Sequence, residues 1–157
     1  MKPRFPFALV CTALFAGACQ RAVNVDREAA IEVVRRNSQL MQEEKIDEMM
    51  ATLHPQSPAV AETRTAMEGL AKKFDLKSEL SAVEVVSARS DEVRVRFDQT
   101  ISKVKGEGEF PSSRVVGTHV LKKDGNAWKI FSTEVISTEV LDAPEETPEP
   151  SGPEEKQ

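Results

Sequence analysis

Apolar residues change their spacing once along this chain, and that change constrains the fold more than any motif does. From Asp26 to Phe74 they recur every three or four positions, as one face of a helix requires; beyond Phe74 they alternate with polar residues, as a half-buried strand requires. Asp26 is placed to cap a first helix with Ala30, Val33/Val34, Asn37 and Leu40/Met41 on its inner face. Asp47 opens a short second helix, Glu48 to Leu53, which stops at His54-Pro55. Ser57 caps a third, with Pro58 in its first turn and Val60, Thr63/Arg64, Met67, Leu70/Ala71 and Phe74 down one side. Strands follow at Leu80 to Ala88 and, after Ser90-Asp91, through Val93, Val95, Phe97 and Ile101. A polar loop spans Lys105 to Pro111. Arg114 to Lys123 and Ala127 to Leu141 are joined by Asp124-Gly125-Asn126, a hairpin signal because glycine accepts positive φ. Helices first and an antiparallel run after them predict a two-layer α+β domain over residues 27–141, long enough for one modest core.

Both ends of the chain carry other information. Lys2 and Arg4 precede an apolar run from Phe7 to Ala16, too short to cross a bilayer, and Ala16-Gly17-Ala18 leads into Cys19. Residues 1–18 read as a signal peptide cut before Cys19. Ala16-Gly17-Ala18 also fits plain secretory cleavage, but Cys11 leaves with the signal and the exported chain would then begin with a lone thiol. Similarity to the bacterial lipobox gives that thiol a purpose, as a thioether to diacylglycerol. Residues 19–26 become a lipid anchor and short linker, with the bilayer as a partner through Cys19. Gln20 in the next position implies, by the same resemblance, the outer membrane of a Gram-negative envelope, facing the periplasm.

At the other end, residues 142–157 hold four prolines, six acids, one base and no large apolar side chain, which predicts a disordered acidic tail. That tail carries a net charge of −5. With two bases in the signal and −5 overall, residues 19–141 carry −2, leaving no basic footprint for nucleic acid.

A first long helix, then Lys45-Ile46-Asp47-Glu48-Met49-Met50 leading to Leu53-His54-Pro55, and a final hairpin from Val120 to Ile130 through Asp124-Gly125-Asn126-Ala127-Trp128 together resemble the NTF2-like superfamily, with its SnoaL and ketosteroid isomerase branches. The resemblance implies a cone: three N-terminal helices packed on a curved antiparallel sheet around a pocket. Members include enzymes, binding domains and dimer-forming modules, so the fold alone assigns no activity.

An isomerase of this type needs a carboxylate base and a tyrosine or protonated acid for the enolate oxygen. The chain has no tyrosine, and its candidate bases are Asp98, Glu84 and Glu134. The only acid–base pair the alternation suggests is His119 with Glu134, if both face the cone. Val95, Phe97, Ile101, His119, Leu121, Trp128, Ile130 and Glu134 are the expected pocket-lining residues, with the apolar ones expected to bury most area. His54, before Pro55, reads as a capping or exposed residue. Met41, Met49, Met50 and Met67 read as core. Two distant histidines and no calcium-type loop predict neither a metal nor a cofactor. The expected function is a membrane-tethered, non-enzymatic binding module for a small apolar ligand or an envelope protein. An isomerase or hydrolase-like enzyme, and a structural homodimer formed through the sheet, are the alternatives.

Overall fold

The structure, a computed structural model, describes residues 25–142. The signal peptide, Cys19 and all but the first residue of the acidic tail lie outside the described residues.

Helix α1 (Arg27–Gln42) begins where the Asp26 carboxylate accepts the Ala29 N–H at 2.9 Å. It ends in a reversed turn at Glu44, whose φ of +56° lets the Lys45 N–H reach the Leu40 carbonyl at 3.0 Å. Helix α2 (Ile46–Met50) buries Met49 and Met50. It is shorter than the Glu48–Leu53 reading. Asp47, expected to cap it, instead holds Arg64 at 2.7 Å. Helix α3 (Val60–Ala71) starts after the predicted Ser57 cap; Ser57 Oγ accepts only the Ala59 N–H, at 3.3 Å.

Four strands follow, β1 (Phe74–Ala88), β2 (Glu92–Gly106), β3 (Ser113–Asp124) and β4 (Ala127–Val140). They pair antiparallel in chain order as one sheet. The alternation after Phe74 thus becomes the antiparallel sheet of an α+β domain, turned between β3 and β4 at Gly125, whose φ is +60°. Strand β1 begins six residues before the predicted Leu80. Its early inward positions are Leu76 and Ser78, and a buried serine breaks the apolar alternation that sequence reading relies on. That hydroxyl is satisfied inside the core: Ser38 of α1 and Ser78 share a hydrogen bond of 2.6 Å, and Gln99 of β2 donates to Ser78 at 2.6 Å. The predicted loop at Lys105 likewise starts later, because Lys105 and Gly106 still pair with Asp75 and Phe74.

Helix α1 lies along the sheet against β1, β2 and β4, whereas α3 leans on α2 and the start of β1 and buries no side chain. Of the helices expected to pack on the sheet, α1 does so along its length. The core joins Ala30 and Val34 to Val93, Val95, Phe97, Leu121, Trp128 and Ile130. A smaller cluster of Leu40, Met49 and Met50 sits under α3. Ile101, expected among the most buried strand residues, is only half-buried. It lies beyond Gln99 toward the end of β2, between Ser78 of β1 and Ser113 of β3, whose small side chains leave it partly open.

Gly117 has a steric role. A Cβ there would stand 2.7 Å from Phe97 Cζ and 2.9 Å from the Glu134 carbonyl oxygen. The missing side chain lets the Phe97 ring lie over β3. Gly117→Ala should therefore cost about 1–3 kcal/mol, as overpacking does. Urea unfolding measures it, and adding Phe97→Leu should recover part of the loss. An unchanged midpoint for Gly117→Ala would remove this account of the glycine.

Candidate functional site

Between the helices and the last hairpin lies a cavity of about 280 Å³. Asn37 and Met41 come from α1, Met49 from α2, and Leu53, Ser57 and Ala59 from the α2–α3 connection. Thr63 and Met67 come from α3, His119 from β3, and Ile130, Phe131, Ser132 and Thr133 from β4. None of these carries a formal charge at neutral pH. Two other depressions are shallower: a polar one beside α1, lined by Arg35, Gln39, Gln42 and Glu43, and one beside Trp128 at the start of β4.

The cavity wall is fixed by a short parallel bridge. Leu53 pairs with Ile130; the His54 N–H reaches the Ile130 carbonyl at 2.8 Å, and the Ile130 N–H reaches the Thr52 carbonyl at 3.0 Å. His54, expected as a capping or exposed residue, is buried. Its Nδ1 accepts the Gln56 N–H at 3.1 Å, its Nε2 faces the Lys123 carbonyl at 3.4 Å, and its ring meets the edge of Phe131. It latches the helical connection to the hairpin and is used up in doing so.

His119 is the one imidazole on the cavity. Its ring stacks on Phe97, centroids 4.3 Å apart, and its Nδ1 lies 2.8 Å from Thr133 Oγ1. The ring is half-buried and packed by protein on most sides, and this desolvation pushes its pKa down to about 4.

Glu134 is not beside it. The register pairs His119 with Thr133 and Thr118 with Glu134, so Glu134 points to the opposite face, where it forms an exposed ion pair with Arg94. The cause is a register shift in β4 between the partners of Val120 and Leu121, leaving Phe131 as an extra residue. Trp128 and Ile130 face inward before the shift; after it the odd-numbered Thr133 does. The predicted pair does not exist. The other candidate bases are no closer: Asp98 is held by Arg114, which keeps its carboxyl below the usual range, and Glu84 is cross-strand from Arg96 on the outer face.

Of the expected lining residues, His119 and Ile130 border the cavity. Val95, Phe97, Leu121 and Trp128 are closed core, Ile101 is elsewhere on the inner face, and Glu134 is outside. Three methionines read as core, Met41, Met49 and Met67, form the cavity's soft wall. Sequence reading missed Asn37, whose Nδ2 donates to Thr52 Oγ1 at 2.7 Å. Its signal was a polar residue at an inward helical position. Exposed large apolar side chains gather on the far half of β4, at Val135, Ile136 and Val140, and at Leu141 beyond it.

The neutral imidazole predicts a pH effect of known sign. Unfolded, His119 takes up a proton near pH 6.5; folded, it does so only near pH 4. Between these values the unfolded chain holds more protons, so stability falls as pH drops through that window and is not penalised above it. His119→Gln should make stability fall less steeply than in the wild type from pH 6.5 to 4, read by urea unfolding. Parallel curves would refute the desolvated imidazole.

No curated protein sequence matches the chain. Among solved structures, a candidate scytalone dehydratase of Novosphingobium aromaticivorans superposes with a TM-score of 0.58 at 17% identity, over 72% of this chain and 86% of that one. An NTF2-like protein with a cystatin-like fold from the same organism gives 0.53 at 16%, over 76% and 84%. Bdellovibrio bacteriovorus Bd1075 gives 0.56 at 19%, over 66% of this chain, which spans only 37% of Bd1075. At such identities the likeness is one of fold, and the fold is NTF2-like, of cystatin-like α+β type. The family model for the C-terminal domain of anti-sigma-I factor RsgI9 matches residues 32–141, from the first turns of α1 past the end of β4, and the chain belongs to that family.

Proposed function

We propose that this protein is a non-enzymatic binding module whose cavity takes a small, largely apolar ligand, held in the bacterial envelope by lipid on Cys19. The observation that carries the binding role is the uncharged cavity itself: about 280 Å³, walled by Met41, Met49, Met67, Leu53 and Ile130, with one neutral histidine. The His119–Glu134 acid–base pair that an enzyme reading relied on is absent, and among the described residues the groups touching His119 are Thr133 and Phe97, neither of them an acid or base at neutral pH. Some fold neighbours are named as dehydratases, which speaks for an enzyme; the family model is named for part of an anti-sigma factor, which speaks for a regulatory binding role. The geometry at His119 favours the second. For tethering, the support is the sequence alone, Ala16-Gly17-Ala18-Cys19 after a short apolar run.

N-phenyl-1-naphthylamine, a neutral dye that brightens in apolar surroundings, tests the cavity. The full chain should saturate with one dye per protein, and Thr63→Trp, which fills the cavity from the half-buried side of α3, should abolish the signal without unfolding the protein. Equal brightening by wild type and Thr63→Trp would place the dye elsewhere and defeat the proposal.

Tethering has its own test. Cys19→Ser should move the protein from the detergent-extracted envelope fraction to the soluble periplasmic fraction. A wild-type protein already soluble after lysis would rule the anchor out.

A further inference from the structure

We propose that the ligand is an uncharged molecule with a ring-sized apolar body and one hydroxyl or carbonyl group at one end, read by His119 Nε2. This rests on the cavity being the ligand site, and specifies what that site accepts.

The wall changes character along β4. Ile130, beside Leu53, is apolar; Ser132 and Thr133 carry hydroxyls, and His119 is the cross-strand partner of Thr133. Ile130 and Thr133 pair with Leu121 and His119, two residues apart on β3, so across the bulge they stand roughly 7 Å apart, about the length of a two-ring molecule. Met41, Met49 and Met67 supply unbranched, polarisable side chains that adapt to a flat or irregular body.

At the polar end, Thr133 occupies His119 Nδ1 and the Phe97 stack fixes the plane of the ring. Nε2 has no protein partner among the described residues, and no polar side-chain atom there is both sealed from solvent and unpaired, so Nε2 is reached from open space. One imidazole nitrogen, donor or acceptor according to the tautomer set through Thr133, suits a single neutral polar group.

The same lining excludes charge. Among the described residues no Lys, Arg, Asp or Glu borders the cavity, so a carboxylate or ammonium entering it would lose its water and gain no counter-ion from them. The charged residues nearby are engaged elsewhere: Arg64 with Asp47, Arg36 with Glu48, Arg94 with Glu134, and the Lys122 ammonium with the face of the Phe131 ring, which stands between it and the cavity's other lining residues. The desolvation that keeps His119 neutral opposes an entering ion in the same direction.

Three probes of one size separate these terms at pH 7: 2-naphthol, naphthalene and 2-naphthoate, titrated into the full chain. A single neutral hydrogen bond should make 2-naphthol about fivefold tighter than naphthalene. The unpaired anion should make 2-naphthoate at least about tenfold weaker than 2-naphthol. His119→Leu should erase the preference for 2-naphthol while leaving naphthalene binding in place. If that variant does not fold, Thr133→Val replaces it; at an exposed position it releases Nδ1, and the preference should shrink. Naphthoate binding as tightly as naphthol, naphthol no tighter than naphthalene, or a preference that survives the substitution would each overturn the proposal. Failure of all three probes together with the neutral dye would overturn the cavity itself.

Discussion

Phe97 can lie flat across β3 only because Gly117 has no side chain, and much of the site follows from that contact. Its ring seals the core formed by Val95, Leu121, Trp128 and α1, and it also forms the surface on which the His119 imidazole rests. A stacked ring with one nitrogen bound to Thr133 has little rotational freedom left. The core thereby sets both the position and the neutrality of the one polar ring on the cavity. A larger residue at 117 would tilt Phe97 and, through the stack, re-aim His119, so a packing constraint in the sheet is a constraint on recognition.

A second constraint lies in β4, where Phe131 is one residue more than the β3 register needs. Before it Trp128 and Ile130 point inward; after it Glu134 points out to Arg94. One inserted residue separates a carboxylate from an imidazole that uninterrupted alternation would put on one face. Phe131 is also used locally: His54 meets its edge, and Lys122 Nζ sits 3.8 Å above its ring. The bulge thus joins the hairpin to the helical connection while it decides what chemistry the cavity lacks.

These two features mark what was legible in the sequence. Period and turn chemistry gave the order of elements, the α1 cap at Asp26, the hairpin at Gly125 and the core residues Val95, Phe97, Leu121, Trp128 and Ile130, since each depends on local pattern. The start of β1 was hidden because Ser78 stands where an apolar residue was awaited, and its partners Ser38 and Gln99 are 40 and 21 residues away. The facing of Glu134 was hidden because a bulge has no residue signature in β4 and exists only against β3. His54 was misread because its latch to Lys123 spans 69 residues. The cavity methionines have helical spacing whether they meet protein or empty space, so sequence could not separate core from pocket.

Stability is unevenly spread around the cavity, and that bears on how a ligand would be held. The sheet side is a continuous ladder over a packed core, whereas α3 contributes Thr63 and Met67 to the wall yet buries no residue. Its visible ties to α2 are an exposed ion pair from Arg64 to Asp47 and the partial packing of Val60 and Met67 on the Met49 cluster. Exposed pairs contribute at most about 1 kcal/mol, and segments with few buried contacts open before the core does. The rigid elements therefore fix His119 and the hydrogen-bonding end, and the loosest element covers the apolar body. The cavity is therefore most rigid where the hydrogen bond to the ligand is made and least tied down where only apolar contact is needed.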